Sequence, residues 1–233
     1  MQISYLLFDL DETLLPMNLD EFLRAYMKAL SIRMTDYMAP QTFIKNLLAS
    51  TQVMINNDGS RTNEEVFMQD FFNRTQLPKD EVMPIFDDFY RRDFPKLKDL
   101  TTPNALSKHI LEEAGGRGFE LVIATNAVFP EIAINERLRW AGIENIPYRL
   151  VTYYEHMHFC KPNIGYYQEI LDKIGAQPEE CLMIGNDPDE DLIAGKLGIE
   201  TFWVTDDVDS VTRHVEAAHQ GNLDHLYSFI KRL

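Results

Sequence analysis

The sequence predicts an α/β protein, a doubly wound parallel sheet with an all-helical segment inserted after its first strand. Three observations predict it. Short apolar runs bounded by turn residues recur along the chain and alternate with helical periodicity, the pattern of a parallel sheet. A glycine stands just past each helical pattern of the later chain, where a helix stops. Between residues 16 and 100 the strand-like runs vanish and helical patterns alone remain.

Taken in order, the first strand is the apolar run over residues 5–8. Helices are predicted over residues 19–32, 42–48, 64–75 and 81–91, with apolar residues at i, i+3 and i+4, and residues 56–60 read as a turn. The sheet resumes with runs over 121–124, 181–184 and 201–204, and 148–152 adds a further strand. Helices over 104–114, 131–140, 166–174 and 189–197 connect them. This divides the chain into an α/β core of residues 1–15 and 101–233 and a helical domain of residues 16–100.

The 233 residues, 45% of them hydrophobic, suffice for a full-sized core. A formal net charge of -15 argues against nucleic acid or an anionic membrane surface as partner. It does not argue against a small phosphate ester, because a bound divalent cation inverts the local field. Two cysteines, Cys160 and Cys181, do not make a disulfide scaffold and fit a reducing compartment. No stretch approaches a membrane span, and no basic region precedes the first apolar run, so a soluble cytoplasmic protein is expected. The sequence carries no reading of oligomeric state.

Three of the strand-like runs end in chemically capable residues. Asp9-Leu10-Asp11-Glu12-Thr13 follows the first, Thr125-Asn126 the second and Gly185-Asn186-Asp187 the third. Ligands of open parallel sheets bind in the crevice beyond the carboxyl ends of the strands, so these groups are expected in one pocket. Asp9 and Asp11, two apart on an extended chain, point to the same side. Crowded carboxylates repel unless a cation neutralises them, and a hard ion with oxygen ligands, Mg²⁺ by preference, would do so. Asp187 and Asp191 supply further carboxylates. Lys161, within Cys160-Lys161-Pro162-Asn163, offers a positive charge for a nucleophile and a phosphoryl group. The Thr125 hydroxyl and the Asn126 backbone N–H complete a set suited to phosphoryl transfer.

These motifs resemble those of the haloacid dehalogenase-like superfamily. Asp9 to Thr13 match its first motif, Asp-x-Asp-x-Thr; Thr125 matches the second, Lys161 the third, and Gly185-Asn186-Asp187 with Asp191 the acidic fourth. The resemblance implies a Rossmann-like core. The helical segment directly after the first motif resembles the cap of the phosphoglycolate-phosphatase and phosphomutase-like branch. By the same resemblance, Asp9 attacks phosphorus to give an aspartyl-phosphate, and Asp11 protonates the leaving alcohol and then activates water. Mg²⁺ would be held by the Asp9 carboxylate, the Asp11 backbone carbonyl and Asp187, with Asp191 as a second acid. Asn186 departs from the pattern where members carry an acid directly after the glycine. The implied function is a phosphatase acting on a small phosphorylated metabolite. A phosphomutase shares its first steps, whereas dehalogenase relatives lack the second acid that Asp11 provides.

Other features read as ordinary structure. His156 and His158 lack a third suitably spaced metal ligand, and Cys160 is a bystander beside Lys161. Thr125-Asn126 can also be read as a helix N-cap. Phe67, Phe71, Phe72, Phe86 and Phe89 read as core of the helical domain, and Asp87-Asp88 and Asp206-Asp207 as solvated charge. Asp20, Arg24, Arg61 and Asn63 are polar residues that would reach a pocket beneath that domain, with no role assigned.

Overall fold

The computed structural model describes residues 3–206 and 217–233; Met1, Gln2 and Asp207, on which sequence readings fell, lie outside them. Six strands, β1 (Tyr5–Phe8), β2 (Glu120–Ile123), β3 (Leu150–Val151), β4 (Cys181–Gly185), β5 (Glu200–Val204) and β6 (His219–Gly221), form one sheet in the order β3-β2-β1-β4-β5-β6. Every pairing is parallel. The order runs outward in both directions from the β1–β4 pair, which makes this a doubly wound sheet with its switch point there.

The central strands β1 and β4, and β2 beyond Glu120, are continuously apolar because both faces are covered. Leu6 and Phe8 join one core layer with Leu121, Ile123, Leu182 and Ile184, while Leu7 joins the opposite one with Val122 and Met183. Leu6, Leu7 and Phe8 are fully buried.

Four helices follow β1: α1 (Leu19–Arg33), α2 (Pro40–Ile55), α3 (Asn63–Thr75) and α4 (Lys79–Arg92), closed by a 3-10 helix at Phe94–Leu100. Asn18 caps α1 by accepting from the Glu21 amide, and Thr62 with Glu65 forms a capping box on α3. The chain enters and leaves this segment side by side, where Met17 bridges Thr101 and the Thr102 amide donates to the Pro16 carbonyl at 2.8 Å. Its aromatic base docks on the sheet's helices: Phe94 stacks on Trp140 at 5.3 Å and Tyr26 meets Phe129 edge-on at 5.2 Å. The rest of the chain adds α5 (Ala105–Gly116), α6 (Glu131–Ala141), α7 (Ile164–Ile174) and α8 (Leu223–Ile230). Gly142 and Gly175 end α6 and α7 in the left-handed conformation, at φ 71° and 74°.

Two expectations fail for local reasons. The 42–48 prediction catches less than half of α2, whose later turns carry Ser50, Thr51 and Gln52 and so dilute the apolar signal. The helix expected over 189–197 is only a 3-10 helix at Leu192–Leu197. There the Asp187 carboxylate takes the Asp189 and Glu190 amides, a side-chain alternative to helical bonding. No helix among the described residues is long and apolar enough to cross a membrane.

Candidate active site

Sheet register assembles the site. Phe8 lies level with Ile123 on one side and Ile184 on the other, so Asp9, Thr125 and Asn186 emerge together at the carboxyl ends of β1, β2 and β4. The Asp9 amide donates to the Ile184 carbonyl at 2.9 Å, and the Ala124 amide to the Phe8 carbonyl at 2.7 Å, which carries the ladder up to the site. Beyond Asp9 the chain turns sharply. Glu12 adopts φ 61°, and the Leu14 and Leu15 amides both donate to the Leu10 carbonyl. That turn brings the Thr13 hydroxyl back within 3.1 Å of Asp9 Oδ2 and 2.9 Å of Asn186 Oδ1.

Lys161 is the centre of charge. Its side chain is fully buried, with Nζ 2.8 Å from Asp9 Oδ1 and 2.6 Å from Asp191 Oδ1. Burial pulls the ammonium down, but Asp191 and Asp9 outweigh it and hold Lys161 well above the ordinary lysine value. Burial lifts Asp191 above the usual carboxylate range, and Lys161 opposes that lift. The second oxygen of Asp191 accepts the Asp187 amide at 3.0 Å. A Cβ placed on Gly185 would stand 2.1 Å from that same oxygen. Glycine is required there because the Asp191 carboxylate lies directly against the strand end.

Asp11 has a different environment. It pairs with Arg137, which is buried in α6 with its guanidinium 4.4 Å over the Phe129 ring. Burial pushes the Asp11 carboxyl up to about 6, Arg137 pulling against it. Asp11 Oδ1 and Arg137 Nε and Nη2 are buried without a hydrogen-bond partner among the described residues. Sequence reading missed Arg137. The available signal was its place on the apolar face of α6, three or four residues from Ala133, Ile134, Trp140 and Ala141, all buried.

Thr125 is buried, and its carbonyl accepts from the hydroxyls of Thr152 and Tyr166, each at 2.7 Å. The Asn126 amide spans two loops, donating to the Glu190 carboxylate at 3.1 Å and accepting from the Lys161 amide at 3.2 Å. The N-cap reading of Thr125-Asn126 does not hold, because α6 begins at Glu131 behind Pro130.

Among the described residues no three Asp, Glu, His or Cys side chains converge as a metal cage. The oxygens that gather are the Asp9 carboxylate and the Asn186 amide oxygen, joined through the Thr13 hydroxyl, with the Asp11 backbone close in the chain. Mg²⁺ needs only one or two carboxylates and keeps waters and substrate oxygens, so this donor set fits it. The expected acids are otherwise engaged. Asp187 is exposed with Oδ1 turned onto its own loop amides, and Asp191 is bound to Lys161. Asn186 Oδ1, rather than an Asp187 oxygen, is the group that meets the Thr13 hydroxyl beside Asp9.

Several bystander readings agree with the geometry. Cys160 and Cys181 are buried and unbridged, and burial pushes each thiol up to about 12. His158 is tied to Glu169 at 2.8 Å. Of the polar residues in the helical segment, Asn63 is fully buried and donates to the Ala127 and Phe159 carbonyls, whereas Asp20, Arg24 and Arg61 are exposed.

The sequence family described as haloacid dehalogenase-like hydrolase matches residues 3–198. The chain belongs to that family. It is 32% identical over 116 residues to a glyceraldehyde 3-phosphate phosphatase of Methanothermobacter thermautotrophicus, a stretch covering 49% of each protein. It is 33% identical over 95 residues to a phosphoserine phosphatase of Thermus thermophilus, covering 40% of this chain and 37% of that one. The match thus spans half or less of the curated relatives' length. Among solved structures, a HAD phosphatase from Thermococcus onnurineus superposes with a TM-score of 0.61 at 15% identity, over 99% of this chain and 98% of that one. At that identity the likeness is one of fold.

Proposed function

We propose that the chain is a magnesium-dependent phosphatase that cleaves a small phosphorylated metabolite through a phosphoryl group carried on Asp9. One observation carries the reading: the Asp9 carboxylate stands in a buried ion pair with Lys161, beside a second acid of raised pKa, Asp11. Both curated relatives being named phosphatases supports it.

An Asp9 oxygen attacks phosphorus as the ester P–O bond breaks, and the departing oxygen takes the proton held by Asp11. Asp11, now a carboxylate paired with Arg137, then accepts a proton from the water whose oxygen attacks phosphorus. The bond between phosphorus and Asp9 breaks, inorganic phosphate leaves and the Asp9 carboxylate is restored. Lys161 keeps a fixed positive charge beside the group in transit, and the Thr125 hydroxyl and Asn126 N–H serve its outer oxygens. Bound Mg²⁺ would neutralise phosphoryl charge; we assign its ligands to Asp9, the Asp11 carbonyl and Asn186, with Asp187 behind them. Asp191 holds Lys161 in place. Residues 16–100 act as a cap that excludes water. Two buried, unbridged cysteines accord with a reducing, cytoplasmic setting.

The test is hydrolysis of p-nitrophenyl phosphate by the full chain. Asp9→Asn is expected to lower turnover at least about a thousandfold. EDTA should abolish activity and Mg²⁺ restore it. Retained turnover in Asp9→Asn would overturn the reading.

A further inference from the structure

A cavity of about 310 Å³ opens between the helical segment and the sheet, lined by residues of α1 to α4 together with Val128, Phe129, Pro130 and Tyr154. Asp11 and Asn126 form part of its wall, so it is continuous with the site where the proposed reaction takes place. Under that proposal Asp11 must reach the oxygen that leaves phosphorus. The body of the leaving alcohol then lies on the cavity side of Asp11.

The wall is mostly apolar, with Leu23, Leu30, Leu47 and Phe86 among its residues. Met27, Met68 and Met83 give it an adaptable surface. The charged side chains lining it are all acidic: Asp11, Asp87 and Glu190, with no Lys, Arg or His among the described lining residues. Asp11 is bound to Arg137 and Glu190 to the Asn126 amide, and Asp87 is exposed at the rim with Leu48, itself 51% exposed. The Tyr26 and Tyr90 hydroxyls are bonded to each other at 2.8 Å, one donating and one accepting, so that stretch of wall is neutral with a single O–H left over. Arg137, the cation behind this wall, is already paired with Asp11, so a carboxylate or second phosphate placed here would be desolvated next to Asp87 and Glu190 with no Lys, Arg or His among the described lining residues to meet it, at a cost. An uncharged hydrocarbon body meets no such penalty and buries apolar surface. The volume takes on the order of ten non-hydrogen atoms, at roughly the 30 Å³ each that a water molecule occupies.

We propose that the substrate class is a phosphate monoester of an uncharged, largely apolar alcohol, an alkyl chain or ring of about this size, seated in the cavity with its ester oxygen at Asp11. The assignment rests on the phosphatase reading above. It points away from small anionic esters, from the charged body of phosphoserine and from the short, polar body of glyceraldehyde 3-phosphate, the esters named for the curated relatives.

The test uses the full chain with Mg²⁺ and compares kcat/KM for ethyl, butyl, hexyl and octyl phosphate with phosphoglycolate, phosphoserine, glyceraldehyde 3-phosphate and phosphocholine. At about threefold or more per buried methylene, octyl phosphate is expected to exceed ethyl phosphate at least about 100-fold and to exceed each of the four polar or charged comparison esters. In Met83→Trp, which fills the cavity, the octyl-to-ethyl ratio should fall at least about tenfold. A flat chain-length series, or any of the four polar or charged comparison esters as the best substrate, would overturn the substrate class while p-nitrophenyl phosphate hydrolysis left the phosphatase reading standing. No turnover of any ester, p-nitrophenyl phosphate included, would overturn both.

Discussion

The side chain on which the site turns is Lys161. Its ammonium lies between Asp9 and Asp191 with almost no exposure on any of the three. Taking one partner from such a cluster leaves buried charge uncompensated, so Lys161→Met is expected to lose about 3–5 kcal/mol of stability. Urea unfolding measures this, and adding Asp191→Asn to that variant should recover part of the loss; a double variant no more stable than the single one would contradict the clamp. Gly185 gives a second prediction. Gly185→Ala forces a methyl against the buried Asp191 carboxylate, and about 1–3 kcal/mol of stability should be lost together with at least a tenfold fall in turnover. Unchanged stability would mean that Asp191 has another place to go. At this scale the sequence disclosed the acids and the lysine because their motifs are spaced along strand ends. It hid Arg137, since a single arginine in a helix reads as solvated until its neighbours are seen to be buried. It did not separate Asn186 from Asp187, the neighbour favoured for the metal. Which of two adjacent side chains turns inward depends on the loop, and here the Asp187 carboxylate closes that loop on itself.

Among elements, the joint between the helical segment and the sheet depends on a few buried contacts. The Asn63 amide, at the start of α3, donates to the carbonyls of Ala127 and Phe159, and its backbone N–H to Met157 at 2.7 Å. Asn63→Ala removes the amide donor shared by the Ala127 and Phe159 carbonyls and the acceptor of the Asn57 amide, costing about 1–3 kcal/mol, and the loss should be local. Hydrogen exchange would then quicken in α3 ahead of β1 and β4; a uniform change across the sheet would contradict the latch. The strands flanking the site were legible because a buried parallel strand must be continuously apolar. The strand β6, His219-Gln220-Gly221, was not, because a three-residue edge strand offers no apolar run to read. The two-residue β3 lies inside the longer run expected at 148–152. Pairing partners, and hence the order of strands, were outside what periodicity carries.

For the whole molecule, the doubly wound sheet explains why residues from distant parts of the chain meet. Its switch point lies between β1 and β4, and the crevice there receives Asp9 from one strand and Asn186 from the other. The helical segment roofs that crevice with an apolar wall, so core and roof make different demands on a ligand. As proposed, the core takes the phosphoryl group with its cation and the roof takes the hydrocarbon body.

The central claim, a phosphoryl group carried on Asp9, is tested most directly by acid-quenching the Mg²⁺-loaded protein during turnover of p-nitrophenyl phosphate and mapping its peptides by mass spectrometry. The account predicts a phosphoryl adduct on the peptide containing Asp9, more abundant in Asp11→Asn and absent from Asp9→Asn. Phosphate release without any adduct, at a rate unchanged in Asp9→Asn, would contradict it.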